Sequence, residues 1–404
     1  MSPRKLAKSV LFHARGARIR ALAAPRQIPW VRRRLNLPGN QPFDPLGAEA
    51  TAGVRVTRLD APATYQRPLP ALPDQHPDAF DFFAQRRHET SSAAYVMELA
   101  GGIAWGHPTG GVFTPDGRFV PALTHDPCGE KFHTVWTRVR LPRPEPLAGR
   151  VLYLVTPEAT DNFHHWMIDL LPRVGLVRRA GFEPQAFDHV IVNHTSRRYQ
   201  LATLEHLGFR REQLVRADES LFVRPDLLVV PSLKESNKTL PAPDAAFLRA
   251  AFLTAPAPMA RSRRIFISRT DAGFRRLSNE AALHPLLREH GFEIVCPGTL
   301  DLPGQARLFA EAEVIAGPAG AGFANLVFAS PGARVIEIAP PGWLAEFHWM
   351  VSARLGLQHT VLLGEGRVMR GVPDVSDRER DIVIDPQKFA AVLERNLAAA
   401  PLSP

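Results

Sequence analysis

Residues 313–340 read EVIAGPAGAGFANLVFASPGARVIEIAP, and this stretch decides the fold. An apolar run ends in a cluster of glycines, an apolar segment of helical character follows, and a second apolar run comes after Pro331-Gly332. The order strand, glycine turn, helix, strand is typical of a parallel sheet whose strands are joined by helices. The stretch therefore predicts an α/β protein.

The same alternation of strands and helices continues through two blocks of chain, residues 150–240 and 262–370. Each block predicts a parallel sheet covered by helices. A stretch rich in proline and alanine, 240–260, reads as the connection between them. Short apolar runs separated by turn residues across 93–145 predict a small set of antiparallel hairpins.

These patterns predict four parts of the chain. Residues 1–92 form a basic tail and a Pro-rich extension, within which 36–78 reads as extended linker. Residues 93–250 contain the hairpins and a first parallel-sheet domain, and residues 251–385 contain a second. Residues 386–404 form a closing helix and a tail.

The positive charge of the chain is concentrated at its N-terminus. The 404 residues carry 49 Lys and Arg against 40 Asp and Glu, a net charge of +9. Ten of these basic residues and no acidic residue lie within 1–40, so the remainder is close to neutral and does not suggest a nucleic-acid-binding body. The favoured interpretation of this segment is a solvated tail. A basic amphipathic helix over 4–24 that touches anionic lipid, or an organelle transit peptide, are the alternatives.

The cysteine and hydropathy patterns narrow the class of protein further. Cys128 and Cys296 lie far apart, which excludes a disulfide framework and favours a reduced, cytoplasmic protein. His125, Cys128 and His133 have no convincing fourth ligand, so no metal site is expected. No apolar run of about 18 residues exists, so no transmembrane helix is predicted.

The sharpest motif is the glycine cluster from Gly317 to Gly322. Glycines between a strand and a helix allow backbone N–H groups to approach a phosphate. Asn325 would add a side-chain donor, and Glu337, at the end of the next strand, would accept hydrogen bonds from ribose hydroxyls. The spacing G-x-x-G-x-G meets the dinucleotide fingerprint only in part, and a tight turn with close packing is the alternative.

A second motif begins with Ser268-Arg269 at a strand end and continues with Arg275-Arg276. Two arginines before a helix can neutralise a diphosphate. For one of the arginines, a plain position on a charged surface is the better interpretation. Ser278 is a candidate for capping the helix that follows.

The third motif spans residues 162–169, NFHHWMID. His165 and Asp169 are four residues apart, so on a helix they share one face. A carboxylate or a histidine at the end of a parallel strand can take a proton from a hydroxyl group. A capped helix with a structural histidine and a buried aromatic residue is the alternative.

In their order along the chain, the three motifs resemble those of glycosyltransferase family 61. The resemblance covers about residues 93–370. The residues that match the family pattern are Asn162, His165, Trp166, Asp169, Leu171, Pro172, Arg173, Ser268, Arg269, Arg275, Arg276, Asn279, Glu280, Gln305, Phe309, Ala312, Gly317, Gly320, Ala321, Gly322, Asn325 and Glu337. One residue departs from it, because Ala319 stands where the family has histidine.

The resemblance implies a GT-B-like fold, with two Rossmann-like parallel-sheet domains facing a cleft. It implies an inverting transfer of sugar from a UDP- or GDP-sugar, without an obligatory cofactor, to a saccharide or glycolipid. The family role is bacterial surface polysaccharide synthesis, such as that of capsule. The expected location is the cytoplasm, with peripheral contact to the inner membrane through residues 1–35, and no nucleic acid is expected as a partner.

For the chemistry we expect Asp169 to act as the base, with His165 orienting it or taking the role itself. The expected substrate-binding residues are Asn162, His164, Trp166, Arg173, Arg269, Arg275, Arg276, Asn279, Glu280, Gly317, Pro318, Ala319, Gly320, Ala321, Gly322, Asn325 and Glu337. Two other functions compete with this one. The unit from Gly317 to Glu337 suggests an NAD-dependent oxidoreductase, and Ala319 suggests a degenerate, non-catalytic transferase.

Overall fold

The computed structural model describes residues 14, 16–21, 28–35, 42–47, 50–106, 110–124, 133–234, 238–253, 261–369 and 377–398. The strands in these ranges are β1 Val54–Asp60, β2 Thr64–Gln66, β3 His88–Thr90, β4 Ala94–Ala100, β5 Ile103–Trp105, β6 Gly111–Phe113, β7 Glu145–Tyr153, β8 His189–Val192, β9 Leu214–Arg216, β10 Phe222–Pro231, β11 Arg263–Ile267, β12 Phe292–Val295, β13 Ala312–Pro318, β14 Arg334–Ala339 and β15 Gln358–Leu363. The α-helices are α1 Pro29–Leu35, α2 Pro77–Gln85, α3 Phe163–His165, α4 Pro172–Arg179, α5 Arg198–His206, α6 Ala242–Phe252, α7 Glu280–Glu289, α8 Leu302–Ala310, α9 Phe347–Arg354 and α10 Pro386–Ala398.

The chain divides into two compact units. The first comprises Met1–Pro62 and Ser92–Lys234, and the second comprises Ala63–Ser91 and Glu235–Pro404. Residues 63–91, which lie in the expected tail and extension, therefore belong with the C-terminal part of the chain. Both units combine helices with parallel strands, so the predicted α/β class is confirmed.

The first unit is built on a mixed sheet in the order β1-β4-β10-β7-β8-β9, with β5 beside β10 and β6 beside β5. Strands β10, β7, β8 and β9 are parallel, whereas β1, β4, β5 and β6 join through antiparallel pairs. Residues Met97, Val151, Tyr153 and Leu228 pack together in its core. The predicted hairpins are thus part of a larger sheet.

The second unit contains a five-stranded parallel sheet in the order β12-β11-β13-β14-β15. This order is that of a doubly wound sheet, in which the chain first moves to one side of β11 and then to the other. Phe266, Leu287, Ile336 and Phe389 belong to its buried core. The apolar runs that predicted these strands are buried because both faces of such a sheet are covered.

The segment 63–91 packs against this second sheet through the hairpin β2–β3 and helix α2. The ring of Phe83 meets that of Trp349 edge-on at 5.2 Å, and the Trp349 indole donates to Pro68 O at 2.8 Å. Arg67 is buried between Glu89 at 3.2 Å and Glu346 at 2.7 Å. Aromatic packing and a buried ion pair therefore hold this segment in place.

Three expectations of local structure were wrong. Part of the supposed linker 36–78 is strand β1, because Val54 and Val56 of VRVTRLD pack against the core of the first unit and the strand pairs with β4. The single helix expected over 163–181 is α3, a π-helical segment Trp166–Leu170 and α4, since Pro172 has no N–H to continue the α-helical pattern. The helix after the glycine cluster is a 3₁₀-helix, Ala321–Phe328.

Some sequence expectations fall outside the described ranges. They include most of the basic segment 4–24 and both His125 and Cys128 of the rejected metal site. His133 is described, and its Nδ1 accepts a hydrogen bond from Val135 N at 3.1 Å. Within the described ranges, no helix is both long and apolar enough to cross a membrane.

Candidate functional site

The glycine cluster lies at the point where the strand order of the second sheet reverses. Strands β11 and β13 are neighbours, but β12 lies on the far side of β11. Ligands of doubly wound sheets bind at the carboxyl ends of the strands at such a reversal. Arg269 follows β11 and Gly320 follows β13, so residues from two motifs meet there.

Two glycines in the cluster lie in close contact with the end of β11 and the residues after it. Gly317 has φ +153°, and a Cβ at this position would lie 2.7 Å from the carbonyl oxygen of Ile267. At Gly320 a Cβ would overlap the guanidinium of Arg269. Glycine at position 320 therefore allows Arg269 to lie against the start of the 3₁₀-helix.

Arg269 and Arg275 form a pair of cations beside this turn. Arg269 donates from Nε to Arg275 O at 3.1 Å and from Nη2 to Phe274 O at 3.0 Å, which fixes its guanidinium. The Arg275 guanidinium lies 5.1 Å from the ring of Phe274 and 5.2 Å from that of Trp343. Arg275 itself has φ +54°, in the left-handed region that residues other than glycine seldom adopt.

The electrostatics of this pair favour an anion. Burial lowers the pKa of Arg269, and burial followed by the charge of Arg269 lowers the pKa of Arg275 to about 10. In the described part of the chain neither guanidinium has a carboxylate within ion-pair distance. A diphosphate placed here would relieve the repulsion between the two cations.

The other residues of this motif have structural partners. Arg276 is exposed and ion-paired with Asp381, at 2.8 Å and 3.1 Å. Asn279 donates to Ile384 O at 2.6 Å and accepts from Ile384 N at 3.2 Å. Buried Glu280 accepts from Ser268 Oγ at 2.6 Å. Arg276, Asn279 and Glu280 thus fix the loop that carries Arg275, and Asn279, not Ser278, is at the helix N-cap.

Asn325 and Glu337 are also engaged inside the fold. Asn325 is fully buried and donates to Gln305 Oε1 at 2.7 Å. The oxygens of Glu337 lie 2.7 Å from His348 Nδ1 and 3.0 Å from His359 Nε2. Although burial opposes it, the two histidines hold the pKa of Glu337 far below its ordinary value. The expected ribose contact of Glu337 is therefore replaced by a buried carboxylate–histidine cluster.

The rest of the glycine cluster forms the backbone of the turn. Pro318 ends β13, and Ala319 is buried with its N–H donating to Ile338 O at 2.9 Å. Ala321 and Gly322 open the 3₁₀-helix. A Cβ at Gly322 would meet nothing closer than 3.5 Å, so glycine is not required there.

The first unit has a corresponding reversal of strand order between β7 and β10. These strands are parallel neighbours, while β8 and β9 continue on the other side of β7. The loop after β7 carries Glu158 and leads into α3, and Lys234 follows β10. The third motif therefore also lies where ligands of parallel sheets bind.

His165 is the centre of this second site. Its Nδ1 lies 2.8 Å from Asp169 Oδ2, and its Nε2 lies 2.9 Å from Glu158 Oε2. Lys234 Nζ is 3.9 Å from Asp169 Oδ1. Burial opposes the charge of His165, but the two carboxylates together raise its pKa to about 9, whereas the pKa of Asp169 is lowered by His165 and Lys234 against burial.

The neighbours of this cluster support it from within the fold. Exposed Asn162 caps α3 by accepting from His164 N at 2.9 Å, and the buried ring of His164 contacts that of His165. Trp166 is fully buried and donates to Thr203 Oγ1 at 2.9 Å. Arg173 is buried and donates to the backbone of Val155 and of two other residues at the strand ends. Trp166 and Arg173 thus hold the strand ends together, although a substrate contact was expected.

Two functional candidates, Glu158 and Lys234, were missed at the sequence level. Each lies in the loop that follows a strand, Glu158 in the segment VTPEAT after β7 and Lys234 in PSLK after β10. A single charged residue in such a loop has no periodic pattern to single it out. Its position at the end of a parallel strand was the one signal in the sequence.

The comparison with known families finds one match. A family model described as Glycosyltransferase 61 matches residues 163–336. The matched range begins two residues before His165 and ends at the residue before Glu337, so it includes Arg269, Arg275 and the glycine cluster. The resemblance drawn from the motifs is thereby confirmed. No curated protein matches the chain.

Proposed function

Because residues 163–336 match the model of glycosyltransferase family 61, we propose that the chain transfers sugar from a UDP- or GDP-sugar to a hydroxyl group of a saccharide or glycolipid. The family makes the chain an enzyme with a sugar donor and an acceptor. The proposal that the donor carries a nucleoside diphosphate rests on one observation, the pair of cations Arg269 and Arg275 beside Gly320.

The leaving group of such a transfer is a nucleoside diphosphate. Its negative charge grows as the bond to the sugar breaks, and preorganised cations at that point lower the barrier. Hydrogen bonds hold the guanidinium of Arg269, and the rings of Phe274 and Trp343 flank that of Arg275, so little reorganisation would be needed. We therefore propose that these two arginines bind the diphosphate, without an obligatory metal or cofactor.

Inversion at the anomeric carbon needs one group that takes the proton from the acceptor hydroxyl. The cluster of Glu158, His165 and Asp169 provides carboxylates at the carboxyl end of β7. A positioned carboxylate of this kind contributes about 10²–10⁴-fold to a rate by general base catalysis. We propose that this cluster binds the acceptor hydroxyl.

The finer expectations from the family are part of the same proposal. They are a GT-B organisation, a role in bacterial surface polysaccharide synthesis, and a cytoplasmic location with peripheral membrane contact. Each unit does contain parallel strands, as GT-B enzymes do. Residues 1–35 contain the ten basic residues of the N-terminal segment, and Trp30 among them is 65% exposed. Both features suit contact with an anionic bilayer surface.

The test is a calorimetric titration with UDP, GDP and NAD, followed by an assay for nucleoside diphosphate release from a panel of UDP- and GDP-sugars. Binding of one nucleoside diphosphate, and its release in the presence of saccharide acceptors, supports the proposal. Binding of NAD alone would overturn it in favour of the oxidoreductase.

A further inference from the structure

We infer that Glu158, rather than Asp169, is the carboxylate that takes the proton from the acceptor hydroxyl. This inference rests on the proposed sugar transfer and names the base within it. Glu158 lies in the turn after β7, and its carboxylate is 2.9 Å from His165 Nε2. Its side chain is 56% exposed, whereas that of Asp169 is 3% exposed.

Asp169 is placed to hold other groups rather than to meet a substrate. One of its oxygens lies 2.8 Å from His165 Nδ1 and the other lies 3.9 Å from Lys234 Nζ. A general base must come within about 3.2 Å of the proton that it removes. A saccharide hydroxyl would have to displace one of these cations to reach the Asp169 carboxylate.

His165 is also unsuited to be the base, because both ring nitrogens face carboxylates. With a pKa of about 9, His165 is protonated at neutral pH and donates one N–H to Asp169 and the other to Glu158. It already carries the proton that a base would have to accept. Its role is to orient Glu158, and Asp169 in turn keeps the imidazolium in place.

The backbone of Glu158 gives independent support. Its φ is +63°, in the left-handed region that residues other than glycine, asparagine and aspartate seldom adopt. Strained residues of this kind persist where the surrounding structure fixes them, and they cluster at active sites. The turn thus holds a glutamate in a backbone conformation that glycine adopts without strain.

In the proposed transfer, one bond to the anomeric carbon forms as another breaks. The acceptor oxygen forms a bond to the anomeric carbon, and the bond from that carbon to the phosphate oxygen breaks. The bonding electron pair leaves with the nucleoside diphosphate. The proton of the acceptor hydroxyl moves to Glu158, which later releases it to water, while His165 stays protonated throughout.

The experiment compares turnover in Glu158→Gln, Asp169→Asn and the exposed control Glu205→Gln. The assay follows nucleoside diphosphate release from a panel of UDP- and GDP-sugars with a mixed pool of oligosaccharide acceptors. We expect Glu158→Gln to lose 10²–10⁴-fold in kcat with unchanged affinity for the nucleoside diphosphate. Added formate should restore part of the kcat of Glu158→Ala, since a small carboxylate can occupy the vacated space.

A second pair of variants separates chemistry from folding. Glu158→Gly should melt at a higher temperature than Glu158→Ala, because glycine adopts positive φ without strain, yet both should lack transfer activity. Wild-type-like turnover in Glu158→Gln, beside a collapse in Asp169→Asn, would return the role of base to Asp169. If the wild-type enzyme releases no nucleoside diphosphate from any of these sugars, the proposed function falls and the inference falls with it.

Discussion

The guanidinium of Arg269 occupies the space in which a side chain at Gly320 would begin. The two residues follow neighbouring strands, and each restricts the other. A larger residue at position 320 would displace the guanidinium of Arg269. Without that guanidinium, the start of the 3₁₀-helix would lose its contact with Arg269. This contact therefore links the glycine motif to the arginine motif more directly than either pattern does alone.

The first prediction concerns Gly320→Ala. The added methyl group would push the Arg269 guanidinium away from the start of the 3₁₀-helix, so affinity for the nucleoside diphosphate should fall at least tenfold in calorimetry. Gly322→Ala is the matched control, because its Cβ would meet the nearest atom at 3.5 Å. Equal affinity in the two variants would contradict the importance of the Arg269–Gly320 contact.

A second prediction separates the adjacent arginines. Arg275→Ala should weaken binding of UDP or GDP by about 1.5–3 kcal/mol, the usual loss for a charge-assisted contact. Arg276→Ala should leave binding nearly unchanged, since Arg276 is exposed and paired with Asp381. Titration calorimetry on both variants measures this directly, and a larger loss in Arg276→Ala would reverse the assignment.

The third prediction concerns the titration of His165. Its pKa is raised from 6.5 to about 9, so its contribution to stability is complete below pH 6.5 and is lost as the pH rises through 9. The contribution is on the order of 3 kcal/mol at most. Urea unfolding at pH 6 and pH 9.5 should show this loss in wild type but not in His165→Gln. NMR should place the imidazole titration near 9, and a titration near 6.5 would show that the carboxylate contacts do not persist in solution.

A fourth prediction tests the buried cluster around Glu337. Its pKa lies below the ordinary 4.5, so its contribution to stability is present above pH 4.5 and is lost as the pH falls below that value. Glu337→Gln should be less stable at pH 7 by about 3–5 kcal/mol, because two histidines lose a buried partner. Its stability should also depend less on acid than that of wild type. The free energy of unfolding of both proteins is measured with urea between pH 5 and pH 3. An equal loss of this free energy in wild type and Glu337→Gln would contradict this account.

The fifth prediction concerns the N-terminal residues. Removal of residues 1–35 takes away ten basic residues and no acidic residue, which is the whole positive excess of the chain. Sedimentation with vesicles containing anionic lipid should therefore fall, while vesicles of neutral lipid serve as the control. Nucleoside diphosphate affinity should stay the same, since the arginine pair lies in the second unit. Undiminished sedimentation of the shortened protein would place membrane contact elsewhere.

The sequence predicted the elements of both sites better than the contacts within them. The spacing of His165 and Asp169 predicted a shared helical face, and their side chains do meet at 2.8 Å. The alternation of strands and helices predicted the parallel sheet of the second unit and the parallel strands β7 to β10 within the mixed sheet of the first. These features are local or periodic, so they leave a pattern in the sequence.

Other contacts depend on conformation that no spacing reveals. Arg275 and Arg276 are equivalent in the sequence, but Arg275 has a positive φ and lies over Trp343, whereas Arg276 pairs with Asp381. Asn325 was expected to be a ligand donor, but its amide is used by Gln305, which lies 20 residues earlier. Such outcomes are set by tertiary packing rather than by propensity.

The placement of residues 63–91 has a consequence for the order of events during synthesis. Pro68 accepts its hydrogen bond from Trp349, which lies 281 residues later in the chain. At 5–20 residues per second, a ribosome needs roughly 15–55 s to make the partner after Pro68 has emerged. Throughout that interval Phe82 and Phe83, buried in the finished protein, remain exposed to water. Helix α2 is therefore a segment through which growing chains can aggregate, and the second unit becomes complete only after helix α10, whose Phe389 belongs to the core, has been translated.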